Sequence, residues 1–321
     1  MPPKRPKLIN FLTGVPHFGQ RVRSAHDVWL RSNLNNRRWH SRNSHAQQLF
    51  DSHKPNLSSV QRRVLDELNG FGIAHLHFDD LFTDRQLWNK LLITFDRWLN
   101  SDEVKNKEHA YLVEGHSKQR WKEYIVMMCS EGMVLPLDSP LLKLAVTSEI
   151  LDIVNSYFGL MTRLLYTDIW NTIPIENGGP PTGSQRWHRD PEDIKIAKVF
   201  LYLSDVDSTA GPLHYVRNSR QGEKYGSLWP PQRPYGNVAP AEALEAAVPR
   251  SDWEVCTYPT GTIVFVDTTG LHMGGRSISG QRTFATWEFV SHAAPWSRTY
   301  SLAQPLASQE LSVAAKVALS V

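Results

Sequence analysis

The sequence predicts an α+β protein with a mainly β core, helices first and short strands after. Two observations carry that expectation. Before Gly159 the apolar residues recur at helical spacing, and after it they fall in short runs rich in Thr, Tyr, Ile, Val and Leu with turn signals between them. Short strands at that density are the pattern of a sandwich or barrel. The 321 residues, 41% hydrophobic and with eleven Trp, suffice for a sizeable core.

Residues 1–56 read as an irregular basic extension. Ser58 and Ser59 open a helix with Val60, Val64 and Leu68 on one face, closed by Asn69-Gly70. Phe71-Gly72-Ile73-Ala74 reads as a short strand. Thr83 is the expected N-cap of a second helix, striped by Leu87, Leu91, Phe95 and Leu99, with Trp88, Leu92 and Trp98 widening the stripe. Ser139-Pro140 starts a third helix and Ser148 caps a fourth, both ended by Phe158-Gly159. Strands are expected at 160–170, 185–190, 196–203, 213–216, 255–258, 261–267 and 283–290. A Gly/Pro loop occupies 176–183, and a long segment at 220–250, Pro-rich then Ala/Glu-rich, is of the kind that covers a site. Residues 294–321 form a C-terminal tail.

Charge is uneven. Residues 1–63 hold 12 Lys and Arg against Asp27 and Asp51, a net of +10, leaving −7 for the rest of a chain whose total is +3. Such an arm suggests contact with nucleic acid or an acidic surface, but Trp29, Leu30, Trp39, Leu49 and Phe50 within it favour packing on the main domain. No run of about 18 apolar residues suggests a membrane span, and the N-terminus does not read as a secretory signal. Cys129 and Cys256, far apart, are expected as free thiols in a reducing compartment, which makes the protein cytoplasmic.

Four residues suggest chemistry. His188 and Asp190 are two apart, so a strand points both to one face and Arg189 to the other. A second His from another strand completes a 2-His-1-carboxylate set, which suits non-heme Fe(II) that activates oxygen. His272 is preferred to His214 and His292 because it follows a strand and a turn and precedes Gly274-Gly275, which would let the chain pass close to a metal. Arg282, near the start of an apolar strand, could clamp a dicarboxylate co-substrate with its planar fork. Thr286 shares its face by alternation, and Ser279 could hydrogen-bond it. In 196–203, Val199, Leu201 and Leu203 form an apolar face, while Lys198, Phe200 and Tyr202 form a more polar one suited to a barrel interior that holds a site. His77-Phe78-Asp79 repeats the His-x-Asp spacing but has no Gly-rich distal His and Arg, and reads as a polar strand end.

Substrate contacts are sought at Gln185, Trp187, Arg217 and Arg276. Arg186, Arg189, Arg217, Arg220, Lys224, Arg233 and Arg276 hint together at an anionic group. Arg276 and Arg282 are six apart, as in nucleic-acid dealkylases of this chemistry, but the Asn and Thr those enzymes carry between them are absent.

These motifs resemble the phytanoyl-CoA dioxygenase family of Fe(II)- and 2-oxoglutarate-dependent oxygenases, over roughly residues 57–293. The resemblance is strongest at Gln185-Arg-Trp-His188-Arg-Asp190, at 201–213 with its Gly211-Pro212-Leu213, and from His272 to Arg282. It implies a double-stranded β-helix, a jelly-roll or cupin-like barrel, backed by N-terminal helices. It also implies Fe(II) on His188, Asp190 and His272, the distal carboxylate of 2-oxoglutarate on Arg282, and O2 as oxidant. The implied reaction is hydroxylation, or another oxidation, of a C–H bond in a small metabolite or natural-product intermediate, with release of succinate and CO2. The chain departs from the family at 215–220, where Pro-Gly-Ser-His is common, and at Met273. The retained Asp190 argues against a halogenase. Two alternatives stand beside this reading: a jelly-roll module that binds metal or 2-oxoglutarate without turnover, and a nucleic-acid-directed oxygenase steered by the basic arm.

Overall fold

Two antiparallel sheets face each other, and the chain passes between them strand by strand. A computed structural model of the chain describes residues 34–114, 124–129, 132–175, 180–232, 237–303 and 311–321. The N-terminal half gives α1 (Asn36–Ser52), α2 (Ser59–Phe71), β1 (Ile73–His77), the single turn α3 (Phe78–Leu81), α4 (Gln86–Leu99) and α5 (Asp102–Glu114). After these come β2 (Ile125–Met127), β3 (Val134–Leu135), α6 (Pro140–Ala145) and α7 (Ser148–Phe158). The second half gives β4 (Arg163–Thr172), β5 (His188–Arg189), β6 (Ala197–Tyr202), β7 (Leu213–Val216), β8 (Asn237–Val238) and α8 (Ala241–Ala247). It ends with β9 (Trp253–Val255), β10 (Thr262–Val266), β11 (His272–Gly274), β12 (Thr283–Val290), β13 (Ser301–Leu302) and α9 (Val313–Leu319).

The large sheet has the order β1-β10-β6-β12-β4-β2, and the small one β8-β5-β11-β7-β9. From β4 onward the strands alternate large, small, large, small; after β9, also in the small sheet, β10, β11 and β12 resume the alternation. That winding is a double-stranded β-helix, as the resemblance implied. Side-chain alternation then builds three layers. Val199, Leu201, Ile263, Phe265, Ala285 and Trp287 point out of the large sheet into one core with Leu141, Leu142, Ile153 and Val154 of the helices. Between the sheets, Tyr202, Val264, Val266 and Phe284 meet Leu213 and Tyr215. Outside the small sheet, Trp187, Val216, Trp253 and Leu271 pack under Tyr225, Leu244 and Val248. Trp287 also donates its indole N–H to Leu141 O at 2.8 Å, which ties β12 to α6.

Several expectations need correction. Residues 36–52 are a helix, not an irregular arm: Asn35 caps α1, and Ala46 and Phe50 are buried against the helical core. Trp39 donates to Asp193 Oδ1 at 2.9 Å, and Asn43 Oδ1 accepts from Ala293 N at 3.1 Å. The rest of the basic arm, with Trp29 and Leu30, lies outside the described residues. Helix α4 begins at Gln86, whose N–H is met by Asp84 Oδ1 at 2.8 Å, so Thr83 is not its cap. Ser148 is the first residue of α7, and Thr147 takes the cap position without a side-chain bond. The expected strand at 255–258 lies earlier, at Trp253–Val255. The 220–250 segment covers the outer face of the small sheet, because Tyr225, Leu244 and Val248 find apolar partners there. The C-terminal tail contains α9, which buries Ala315, Ala318 and Leu319 in the helical core.

Ser58 and Gln61 form the capping box that starts α2, and the helix runs through Phe71 to a left-handed Gly72 (φ 81°). The turn is tight for a second reason. Tyr215 is wedged between two glycines, and a Cβ on either Gly72 or Gly270 would sit 2.2 Å from its hydroxyl. Gly72→Ala should lower the unfolding free energy by about 2 kcal/mol or more, from the strained φ and the clash together. Gly70→Ala, in the same helix with nothing within 4 Å, should raise it by up to about 1 kcal/mol. Urea denaturation of the two variants beside wild type checks both signs.

Candidate metal centre

Strand β5 carries His188 and delivers Asp190 just beyond its end, and β11 pairs His272 directly with His188. Directly paired residues share a face, so both imidazoles enter the barrel side by side, with ring centroids 4.1 Å apart. His188 Nε2 lies 3.6 Å from Asp190 Oδ1, and His272 Nε2 lies 3.6 Å from Asp190 Oδ2. One ligand atom from each of the three falls within 4.8 Å of the other two, the only such His/Cys/Asp/Glu group among the described residues. Each imidazole uses Nδ1 on a backbone carbonyl: His188 on Arg186 O at 2.7 Å, His272 on Gly270 O at 3.0 Å. A neutral ring donates there, which leaves each Nε2 lone pair aimed at the shared centre.

The charge states fit a divalent cation. Burial, then the neighbouring His188, pushes the His272 imidazole down to about 3, so it is neutral near pH 7. Burial works against the Asp190 carboxylate, but the Lys198 ammonium above all outweighs it and holds Asp190 below the usual carboxylate range. Lys198 Nζ donates to Asp190 Oδ2 at 2.6 Å and lies 3.3 Å from Glu288 Oε2. Burial disfavours that ammonium, yet Asp190 and Glu288 hold its pKa well above the ordinary lysine value. Glu192 is raised well above its ordinary value by burial, then by Glu288 and Asp190.

Arg282 is 6% exposed, and its guanidinium stands over the Phe284 ring at 4.8 Å, near the phenols of Tyr202 and Tyr124. Among the described residues no carboxylate lies within ion-pair distance of it, and its Nε has no hydrogen-bond partner. A Cβ at Gly274 would come within 3.3 Å of its Nη2. Gly274 is the next inward position after His272, so the guanidinium sits roughly 7 Å along β11 from that ligand. A side chain there would crowd the guanidinium by a few tenths of an ångström. Gly275 instead packs against Gly211 and Pro212, where a Cβ would meet Pro212 O at 2.7 Å. The Gly pair therefore makes room for Arg282 and for a neighbouring backbone, and β11 is a strand rather than a glycine-rich turn.

The remaining candidates divide. Thr286 is fully buried on the inner face of β12, and Phe200 and Tyr202 face the same interior from β6, Tyr202 donating to Cys256 O at 3.2 Å. Lys198 faces the interior and pairs its ammonium with Asp190 and Glu288. Ser279 is exposed on the turn before β12. Trp187 points outward and meets Trp253 edge-on at 4.7 Å. Gln185 closes a capping box with Thr182, Arg217 pairs with Glu254, and Arg276 is half-buried between β11 and β12.

Several members of the basic group near the site have protein partners. Arg189 is satisfied by backbone carbonyls alone, Thr269 O at 2.7 Å, Leu228 O at 2.9 Å, Trp229 O at 3.0 Å, Tyr225 O at 3.3 Å and Ser219 O. Arg220 is held by Glu223, and Lys224 by Asp252. Arg186 is exposed, and Arg233 lies outside the described residues. His77 caps α3, accepting from Asp79 N at 3.3 Å, while Asp79 pairs with Arg85. His214 faces outward, with Nδ1 on Pro212 O at 3.0 Å.

Sequence reasoning missed Glu288, Glu192, Tyr124 and the inner face of β4. There Tyr166 and Trp170 stack at 6.2 Å, and Trp170 meets Phe284 at 5.6 Å. Alternation along 160–170 puts Tyr166 and Trp170 on one face, as it does Lys198, Phe200 and Tyr202 in 196–203.

No protein-family model matches the chain, and a search of curated protein sequences finds no match. Solved structures similar to it include the epimerase SnoN in complex with Fe3+, alpha ketoglutarate and nogalamycin RO. That likeness has 14% identity over 73% of this chain and 84% of that one, with a TM-score of 0.46. EctD from S. alaskensis, with 2-oxoglutarate and 5-hydroxyectoine, is 14% identical over 81% of this chain and 86% of that one, at a TM-score of 0.46. HygX from Streptomyces hygroscopicus, with nickel and 2-oxoglutarate bound, is 14% identical over 73% of this chain and 87% of that one, at 0.42.

The depressed His272 has a pH consequence. Its folded pKa of about 3 lies below the unfolded value of 6.5, so between them the unfolded chain binds the proton and the native protein does not. Stability is retained above pH 6.5 and lost progressively as pH falls towards 3. At pH 5 the loss from this group is about 2 kcal/mol. In chelator-treated protein, His272→Gln should remove about that much of the stability difference between pH 7.5 and pH 5, read by urea denaturation. An unchanged difference would mean that His272 is not held neutral.

Proposed function

We propose that the protein is an Fe(II)- and 2-oxoglutarate-dependent oxygenase, similar to the phytanoyl-CoA dioxygenase family, that oxidises a C–H bond of a small molecule. The observation that carries this reading is the pairing of two incomplete sites. Three ligand atoms converge on one point, and a buried guanidinium with no carboxylate partner among the described residues stands one inward position further along β11. A buried charge left unpaired costs several kcal/mol, so Arg282 calls for an anionic ligand. A short dicarboxylate that chelates the metal at one end and meets Arg282 at the other answers both needs.

His188, Asp190 and His272 would hold Fe(II), and Arg282 would take the distal carboxylate of 2-oxoglutarate through its planar fork. When bound, this pair supplies oxidation of C–H bonds at the expense of O2, with succinate and CO2 released. The protein's own part is positional. The carbonyls of Arg186 and Gly270 fix both rings with Nε2 inward. Phe200, Phe284 and Trp170 line the interior with apolar surface, which excludes water from around Arg282 and strengthens its hold on an anion. Hydroxylation of a small metabolite or natural-product intermediate is the default outcome, in a protein with free thiols at Cys129 and Cys256 suited to the cytoplasm.

Anaerobic titration of metal-free protein with Fe(II) and then 2-oxoglutarate should raise the visible charge-transfer band of the chelate. His272→Ala should abolish the band. Arg282→Ala should bind metal but weaken 2-oxoglutarate at least tenfold, about 1.4 kcal/mol. Folded wild type that gives no band would overturn the reading. A band without O2 consumption in the presence of 2-oxoglutarate and candidate substrates would mark a binding module instead.

A further inference from the structure

Asp190 has one more partner than a metal ligand requires. Lys198 Nζ donates to its Oδ2 at 2.6 Å. Among the described residues no protein N–H or O–H donates to Oδ1, the oxygen 3.6 Å from His188 Nε2. A carboxylate can offer a metal one oxygen or two, and here Oδ2 already accepts from an ammonium while Oδ1 does not.

We propose that Lys198 and Glu288 are positioning residues that restrict Asp190 to a single ligating oxygen. The proposal rests on the reading of His188, Asp190 and His272 as an iron centre. Three features support it. First, the lysine is placed by the sheet itself: Lys198 and Glu288 are direct cross-strand partners on β6 and β12, both facing inward. Second, the group is closed off from water, with side-chain exposures of 12% for Lys198, 10% for Asp190 and 1% for Glu288. Its hydrogen bonds therefore hold a fixed geometry instead of exchanging with solvent. Third, the charges balance. An ammonium against a metal ligand would repel a dication, but Glu288 Oε2, 3.3 Å from Nζ, offsets it. Asp190, Lys198 and Glu288 together keep one net negative charge for the metal.

The restriction has a use. Three protein atoms on a six-coordinate metal leave three positions, two for a chelating 2-oxo acid and one for oxygen. An Asp190 bound through both oxygens would occupy one of the three and compete with the co-substrate. Removing Lys198 frees Oδ2 to do so.

The test uses Co(II) as the metal probe. Lys198→Met/Glu288→Gln removes one positive and one negative charge and keeps both shapes, so the net charge of the group is unchanged and bound Co(II) compensates Asp190. Wild type and variant are titrated anaerobically with Co(II), then with 2-oxoglutarate, following the visible bands of the metal. The variant is expected to keep Co(II), to show altered bands, and to bind 2-oxoglutarate about tenfold more weakly. A lysine that only stabilised the fold would shift the thermal midpoint and leave the bands and the 2-oxoglutarate affinity as in wild type, and that result overturns the proposal. Should the variant not fold, a crystal structure of Mn(II)-loaded wild type decides: one Asp190 oxygen on the metal and the other on Lys198 supports the assignment, and both on the metal overturns it. Wild type that binds no Co(II) overturns the metal-centre reading as well. Wild type that binds both ligands beside an indistinguishable folded variant overturns the role of Lys198 alone.

Discussion

Asp190 is a charged carboxylate with 7% of its surface exposed, and the interior of the barrel is arranged around keeping that charge. A carboxylate moved out of water is tolerated only where cations or donors replace the solvent. The Lys198 ammonium of β6 does so here, with the neutral rings of His188 and His272 beside the carboxylate from β5 and β11. Each of those side chains is buried in turn and needs its own partner: the carbonyls of Arg186 and Gly270 for the rings, and Glu288 for the lysine. The polar interior is thus a chain of obligations that begins at one residue.

Layering makes such an interior affordable in a domain of this size. The apolar outer face of the large sheet meets the helices, and a second apolar layer covers the outside of the small sheet. With both outer faces sealed, the space between the sheets can carry charge without weakening the core. Arg189 shows the same economy from the other side of β5. It sits between two metal-site residues in sequence and points away from them, and the backbone of 219–229 closes around it. The loop after β7 is thereby fastened to the strand that positions His188.

Legibility followed the range of the interaction. His188 and Asp190 could be read together because a two-residue spacing decides a face locally. Val199, Leu201 and Leu203 against Lys198, Phe200 and Tyr202 could be read for the same reason, and the structure places these two sets on opposite faces of β6. The partner of Lys198 could not be read, because Glu288 lies 90 residues away and meets it only through the register of β6 with β12. The partners of Arg189 could not be read either, because backbone carbonyls leave no mark in a sequence. Helix α1 was missed because its basic residues hide a short buried stripe of Asn43, Ala46 and Phe50.

The sequence by itself determined that helices precede a strand-rich half, the faces of the longer strands, and a ligand set of two histidines and one carboxylate with an arginine downstream. Periodicity and spacing are local properties, and the chain carries them before it folds. Only the tertiary structure decided that His272 lies opposite His188, that Gly274 makes room for Arg282, and that Lys198 belongs to Asp190 and Glu288. Those relations depend on which strand pairs with which and in what register. That choice is made by the packing of whole faces and not by any one segment of the chain.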